Sequence, residues 1–286
     1  MPRVLIAGCG YVGTILALRL SQGGYEAWGL RRCAGNLPAE IRPLSADLSS
    51  ADTLKNLPPG LDYVFYTASP ESSSEEAYRA CYETGLANLM SSLKEAGQRP
   101  RRLFLTSSTG VYSQSSGEWV DETSPAEPTH FSGRLILEGE RLLQSGPFEA
   151  TVLRAGGIYG PGRTRLIEQV REGKARCTSG PPIYTNRIQV EDCAGALAHL
   201  MDDSRPAGVY IGVDCEPSDR CIVLRWMAGQ LNAPPPRLED ERDLDSRRFR
   251  SNKRCSNAKL LSAGYVFRYP SFREGYRTVM AGLTTS

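Results

Sequence analysis

Over the first 155 residues the apolar positions switch repeatedly between two periods. Short unbroken apolar runs, bounded by glycine or polar residues, read as buried strands, and stretches with an apolar residue every third or fourth position read as amphipathic helices. Val4–Ala7 is the first strand. A helix from Tyr11 to Gln22 follows, with Ile15, Leu16, Leu18 and Leu20 among its apolar positions and Gly23-Gly24 closing it. Tyr25–Leu30, Ile41–Leu44 and Asp62–Thr67 read as the second, third and fourth strands, with Tyr63-Val64-Phe65-Tyr66 at the heart of the last. Glu75–Ala96 reads as one long helix, Arg102–Thr106 as the fifth strand, Ser132–Leu143 as a helix and Ala150–Leu153 as the sixth strand. Such alternation predicts βαβ units with right-handed crossovers. The expected fold is a Rossmann-type, doubly wound α/β structure, with a mostly parallel sheet of about seven strands. Its ligand belongs at the carboxyl ends of the strands, near the point where strand order reverses.

The pattern changes after residue 155. Gly156–Gly162 is glycine-rich and irregular, Pro181-Pro182 opens an extended stretch, Glu191–Met201 reads as a helix and Val209–Val213 as a strand. Ser218–Leu231 is amphipathic, and Asn257–Ala263 is a short helix closed by Gly264. Pro234-Pro235-Pro236 begins a charged stretch to Arg254 that reads as a solvated loop. Tyr265–Pro270, with Phe272 and Tyr276, reads as aromatic packing. The domains expected are a dinucleotide-binding domain over 1–155, with a returning segment near 188–212, and a small C-terminal substrate lobe over 156–187 and 213–286.

Composition narrows the function classes. Formal net charge is +2, which gives no broad electrostatic case for a nucleic-acid or membrane partner. No apolar run approaches the ~20 residues of a membrane helix, and the chain enters its first strand without a signal-peptide pattern. Eight scattered cysteines form no Cys-x-x-Cys pair and make no zinc pattern with His130 and His199. They read as reduced thiols in a cytoplasmic protein, with no metal site.

The chemistry starts at the first turn. Gly8-Cys9-Gly10-Tyr11-Val12-Gly13 has the Gly-x-Gly-x-x-Gly spacing between a strand and a helix. Gly8 permits the turn, Gly10 lets the backbone approach a pyrophosphate, and Gly13 lets the helix pack close to the strand. The N–H groups at the start of the helix, around Tyr11 and Val12, then face the phosphates. An acidic residue that holds the ribose of NAD would end the second strand, but the chain reads Leu30-Arg31-Arg32. Guanidinium groups match a 2′-phosphate, so NADP is expected, with NAD as the alternative. Asp47-Leu48 can contact the adenine, or Asp47 can be a turn residue.

Taken together, these residues resemble the extended short-chain dehydrogenase/reductases, the NAD-dependent epimerase/dehydratase group. The likeness runs through the glycine turn, Asp47-Leu48, Thr67-Ala68-Ser69 and Thr106-Ser107-Ser108-Thr109-Gly110-Val111-Tyr112. It continues in Arg154-Ala155-Gly156-Gly157-Ile158-Tyr159-Gly160-Pro161-Gly162 and in Asn186-Arg187-Ile188-Gln189-Val190-Glu191-Asp192. The resemblance implies Thr67, Ala68, Ser69, Gly156 and Ile158 at the cofactor, a C-terminal lobe that closes over a small polar or nucleotide-sugar-like substrate, and room for a homodimer.

It also implies a Ser or Thr, a Tyr and a Lys as the chemical groups, the last two four apart on one helix face. Ser108 matches the first, or else makes a strand-end turn bond. At the other two positions this chain places His130 and Arg134, so the resemblance is to an atypical branch. Arg134 can hold ribose hydroxyls but cannot shuttle a proton. His130 can act as acid or base, or simply begin the helix, with Ser132 as a cap. Tyr112 and Tyr159 are substitute phenols or packing residues, and Arg163, Arg165 and Arg187 could meet a substrate anion. Asp192 reads as a helix cap. Two functions fit: an NADP-dependent oxidoreductase or epimerase, and an NADP-binding sensor or regulatory protein with weak catalysis.

Overall fold

The computed structural model describes residues 1–239 and 251–284. The middle of the charged stretch after Pro236, 240–250, lies outside them. Contacts divide the chain into two compact units. The first holds Met1–Val111, Ala126–Arg154 and Cys193–Tyr210, and the second holds Tyr112–Pro125, Ala155–Asp192 and the chain from Ile211 onward. Residues 112–125, expected in the first domain, group with the second unit because Glu118–Val120 pairs in parallel with Lys253–Cys255.

One seven-stranded sheet dominates. Its strands are β1 (Arg3–Ala7), β2 (Glu26–Arg31), β3 (Arg42–Ser45), β4 (Leu61–Tyr66), β5 (Arg102–Ser108), β6 (Ala150–Ala155) and β7 (Gly208–Gly212), in the order β7-β6-β5-β4-β1-β2-β3. β1 pairs in parallel with β2 on one side and β4 on the other. Val4 to Ala7 are fully buried, as a strand covered on both faces requires. Three strands run further than their apolar runs suggest. Arg31, Ser108 and Ala155 are the last residues of β2, β5 and β6, which carries Arg31 and Ser108 to the end of the sheet where strand order reverses.

Four helices in the first unit serve the site: α1 (Tyr11–Gln22), α2 (Glu75–Arg79), α3 (Leu86–Glu95) and α4 (Phe131–Gln144). The single helix expected over Glu75–Ala96 is interrupted. Ala80–Gly85 forms a π turn between α2 and α3. Widening the ladder there turns carbonyls outward. Tyr66 donates its phenol to the Cys81 carbonyl at 2.5 Å. The Tyr82 carbonyl packs so close to α4 that a Cβ on Gly139 would stand 2.9 Å from it.

A buried ion pair joins α4 to the sheet. Glu140 and Arg154 are 1% and 6% exposed. The Arg154 guanidinium donates from Nε to Oε1 at 3.0 Å and from Nη2 to Oε2 at 2.6 Å, and the Ser107 hydroxyl bonds the same carboxylate. β5, α4 and β6 therefore meet at one desolvated charge pair whose fork geometry is bidentate.

The second unit is built from short paired strands and helices around Tyr159, Ile167, Cys177, Leu224, Met227, Phe272 and Tyr276. The aromatic tail continues into a helix, Phe272–Thr284, and Tyr276 stacks on Tyr159 with ring centroids 4.2 Å apart. Asp192 does not cap the helix after it. That helix begins at Val190, and the Asp192 carboxylate accepts instead from the Tyr265 phenol and the Arg268 and Tyr269 amides, each at 2.8 Å. No helix among the described residues is long and apolar enough to cross a membrane.

Removing one member of the buried pair leaves a charge without a partner. Arg154→Met is therefore expected to cost about 3–5 kcal/mol in urea denaturation, and Glu140→Met/Arg154→Met to regain much of that loss. A double variant no more stable than Arg154→Met would contradict this.

Candidate functional site

The turn after β1 is shaped by what lies beside it. Gly8 has φ +87°, and a Cβ there would overlap the Ala68 backbone and stand 2.7 Å from the Ala68 Cβ. A Cβ on Gly13 would stand 2.7 Å from Thr67 Oγ1 and 2.8 Å from Ile6 Cγ2. Thr67 also donates from Oγ1 to the Gly8 carbonyl at 3.0 Å. The end of β4 thus demands glycine at both positions. Gly10 differs. A Cβ there would meet only the Gly8 carbonyl, at 3.8 Å. No neighbouring side chain fills the space beside Gly10, so a ligand phosphate can approach the backbone there.

The start of α1 fits the same ligand. Gly10 is its N-cap, no side chain caps it, and its first turn, from Tyr11 through Val12 and Gly13, has no acidic residue. Amide donors and a positive dipole end suit a pyrophosphate. These observations fit a dinucleotide, held by the amides of this turn.

The two arginines after the turn have different partners. Arg31 donates from Nη1 to the Cys9 carbonyl at 3.4 Å and from Nη2 to Asn36 Oδ1 at 3.0 Å, so its guanidinium lies against the glycine turn. Arg32 is ion-paired with Glu71. Asp47 closes a local turn, its Oδ1 accepting the Ser49 amide at 2.9 Å and hydroxyl at 2.7 Å. Those bonds hold its carboxyl below the usual range. The Leu48 carbonyl accepts Asn88 Nδ2 at 2.9 Å. Ala68 is half-buried and Ser69 exposed just past β4.

Ser108 is the last residue of β5. Its Oγ accepts the Gly110 amide at 3.0 Å, which leaves its own proton available to a ligand oxygen. His130 lies outside α4 as its N-cap. Its Nδ1 accepts the Ser132 amide at 3.3 Å and stands 2.8 Å from Ser132 Oγ. The capping reading therefore belongs to His130 rather than Ser132, and a ring whose Nδ1 accepts carries its proton on Nε2. Arg134 is exposed and donates from Nη1 to the Thr129 carbonyl at 2.5 Å. α4 approaches the strand end through Gly133, where a Cβ would stand 2.7 Å from the Gly110 carbonyl.

In the second unit Tyr112 is 2% exposed, and its phenol donates to the Asp121 carbonyl at 2.9 Å. That bond commits the phenol proton and fits the packing reading of Tyr112. Gly156 is required by packing, since a Cβ would stand 2.9 Å from the Arg187 amide nitrogen. Ile158 lies opposite Ile188 in a short parallel pairing. Arg163 donates to the Ile158 carbonyl at 3.3 Å.

The same unit holds a polar cluster that the motifs did not reveal. Tyr159 Oη, Arg187 Nη1, Gln189 Nε2 and Asp214 Oδ2 are all buried without a hydrogen-bond partner. Burial pushes the Asp214 carboxyl up to about 7, against the pull of Arg187 and the Glu216 amide, while Glu216 and Asp192 add to the rise. Burial likewise raises the Tyr159 phenol. The sequence signal available was modest: a charged residue directly after the apolar run Val209–Val213.

Comparison with known proteins agrees with this geometry. The model of the NAD dependent epimerase/dehydratase family matches residues 4–211. Protein YeeZ of Escherichia coli K12 is 26% identical, covering 94% of this chain and 97% of that one. A solved structure from Methylobacillus flagellatus, provisionally described as an NAD-dependent epimerase/dehydratase, is 34% identical with a TM-score of 0.80 and covers 99% of both chains. The human epimerase family protein SDR39U1, solved with NADPH, is similar at a TM-score of 0.79, covering 97% of this chain and 98% of that one. At its 19% identity the likeness shows the fold alone.

Two outcomes are expected. Gly10→Ala should lower the melting temperature clearly less than Gly8→Ala does, while lowering dinucleotide affinity at least tenfold. Equal destabilisation would show that the fold itself needs glycine at Gly10. Asp214 gives a pH test. Its folded value of about 7 lies above its ordinary 3.8, so the native state binds the proton more tightly. The cost of burying the carboxylate is absent below the ordinary value and complete above the folded one. Asp214→Asn should raise the melting temperature most at pH 8, less at pH 5 and not at all near pH 3. A gain independent of pH would contradict the shift.

Proposed function

The chain belongs to the NAD-dependent epimerase/dehydratase family, and on that premise we propose that it is an NADP-preferring oxidoreductase acting on a small polar or nucleotide-sugar-like substrate. The observation that carries the cofactor reading is the pairing of the open space beside Gly10 with the uncapped start of α1, whose first turn has no acidic residue. NADP is favoured because β2 ends in Arg31, with Arg32 directly after it and no carboxylate at either position. A guanidinium donates but cannot accept, so it suits a 2′-phosphate and gives a ribose hydroxyl no acceptor.

The bound nicotinamide supplies hydride chemistry. Ser108 would orient the reacting oxygen with its free hydroxyl proton, and His130 is the candidate proton carrier, giving a proton as the imidazolium and taking one as the neutral ring. Arg134 would add positive charge near the ribose without moving a proton. A second reading, an NADP-binding sensor or regulatory protein, draws support from the same residues. His130 is exposed and spends Nδ1 on capping α4, and Arg134 bonds back to the Thr129 carbonyl.

The deciding experiment titrates the protein with NADPH and NADH, then follows nicotinamide absorbance with a panel of aldehydes, ketones and sugar nucleotides. The enzyme reading expects tighter binding of NADPH, turnover of at least one substrate, and loss of about 10²-fold in kcat in Ser108→Ala and His130→Ala. Tight binding without turnover of any substrate supports the sensor. Failure to bind either nucleotide contradicts both.

A further inference from the structure

The Arg32–Glu71 ion pair links two loops that flank the glycine turn. Arg32 directly follows β2, and Glu71 lies in the loop that leaves β4. In the sheet β2 and β4 stand on opposite sides of β1. Their ion pair therefore spans the end of β1, where Gly8–Gly10 turns into α1. The loop from β4 is fixed at both of its ends. The Thr67 amide donates to the Ala7 carbonyl at 2.8 Å, and at the far end Ser74 caps α2 by accepting the Ala77 amide at 3.2 Å. Glu71 is the only charged residue in 67–74.

The two guanidinium groups at the end of β2 and just past it are thus in different electrical states. Arg31 is bonded to a carbonyl and an amide oxygen, neither of which cancels its charge. Arg32 faces a carboxylate. We infer that Glu71 is a specificity-determining residue: it holds Arg32 as an internal anion that a ribose 2′-phosphate must displace, while a ribose hydroxyl does not displace it. This rests on the NADP reading above. The exchange is feasible because both side chains are more than half exposed and an exposed pair is weak. A phosphate carries more charge than one carboxylate and can engage a guanidinium through two oxygens. Glu71 sets how strongly the 2′-phosphate is preferred, and Arg31 supplies the uncompensated cation.

Isothermal titration with 2′,5′-ADP and with 5′-AMP isolates the 2′-phosphate and needs no substrate. Glu71→Gln is expected to tighten 2′,5′-ADP about three- to fivefold and to leave 5′-AMP unchanged. Arg32→Gln should weaken 2′,5′-ADP, and Arg32→Gln/Glu71→Gln should match Arg32→Gln, because the carboxylate then has no guanidinium to occupy. If Glu71→Gln leaves 2′,5′-ADP unchanged, shifts both ligands equally, or tightens 2′,5′-ADP just as much without Arg32, the proposal is overturned and the NADP reading stands. If the unmodified protein binds 2′,5′-ADP no better than 5′-AMP, the NADP reading itself fails and the role of Glu71 falls with it.

Discussion

The contact between the first turn and the end of β4 governs the rest of the first unit. A side chain on Gly8 would run into Ala68 and one on Gly13 into Thr67, and the Thr67 hydroxyl holds the Gly8 carbonyl from the same side. The chain leaving β1 must therefore lie flat against its neighbour and enter α1 at once. Strand order reverses between β1 and β4, so the amino end of the helix opens where a doubly wound sheet receives its ligand. Gly10 sits at the crest of this turn with no packing reason for its missing side chain. Packing accounts for Gly8 and Gly13, and the open space beside Gly10 leaves the backbone accessible to a ligand phosphate.

Much of this could be read from the residues. Buried parallel strands require unbroken apolar runs, and those runs located β1, β2, β4, β5 and β6. The glycine spacing located the turn. What escaped had physical reasons. A π turn adds one residue to a helical ladder, a single phase step that does not stand out among the apolar positions of Glu75–Ala96, so that segment read as one helix although the Cys81 and Tyr82 carbonyls turn outward to Tyr66 and α4. The short strands of the second unit contain two or three residues, too few to show a period. The closing helix, Phe272–Thr284, was masked by its aromatic residues, which read as packing alone.

The catalytic end of the site shows the limits of motif spacing most clearly. His130 and Arg134 occupy positions that the family resemblance reserves for other residues, but the backbone places His130 before α4, as its cap. The buried Glu140–Arg154 pair gave a sequence signal that could have been used. Glu140 lies four residues after Ile136 and seven after Gly133, on the buried stripe of α4, and Arg154 stands inside an apolar strand. Charges at such positions need each other. Through Ser107, next to Ser108, this pair supports the strand end that carries the candidate hydroxyl. In the second unit Arg187, Asp214 and Tyr159 keep buried polar atoms without protein partners, an arrangement suited to ordered water.

The most direct measurement is the amide spectrum of the isotope-labelled protein during addition of NADPH. The amide signals of Gly10, Tyr11, Val12 and Gly13 should move together and saturate with the nucleotide, with Arg31 and Arg32 following. Saturable binding that leaves these amides unmoved, or no binding at all, would contradict a pyrophosphate seated at the start of α1.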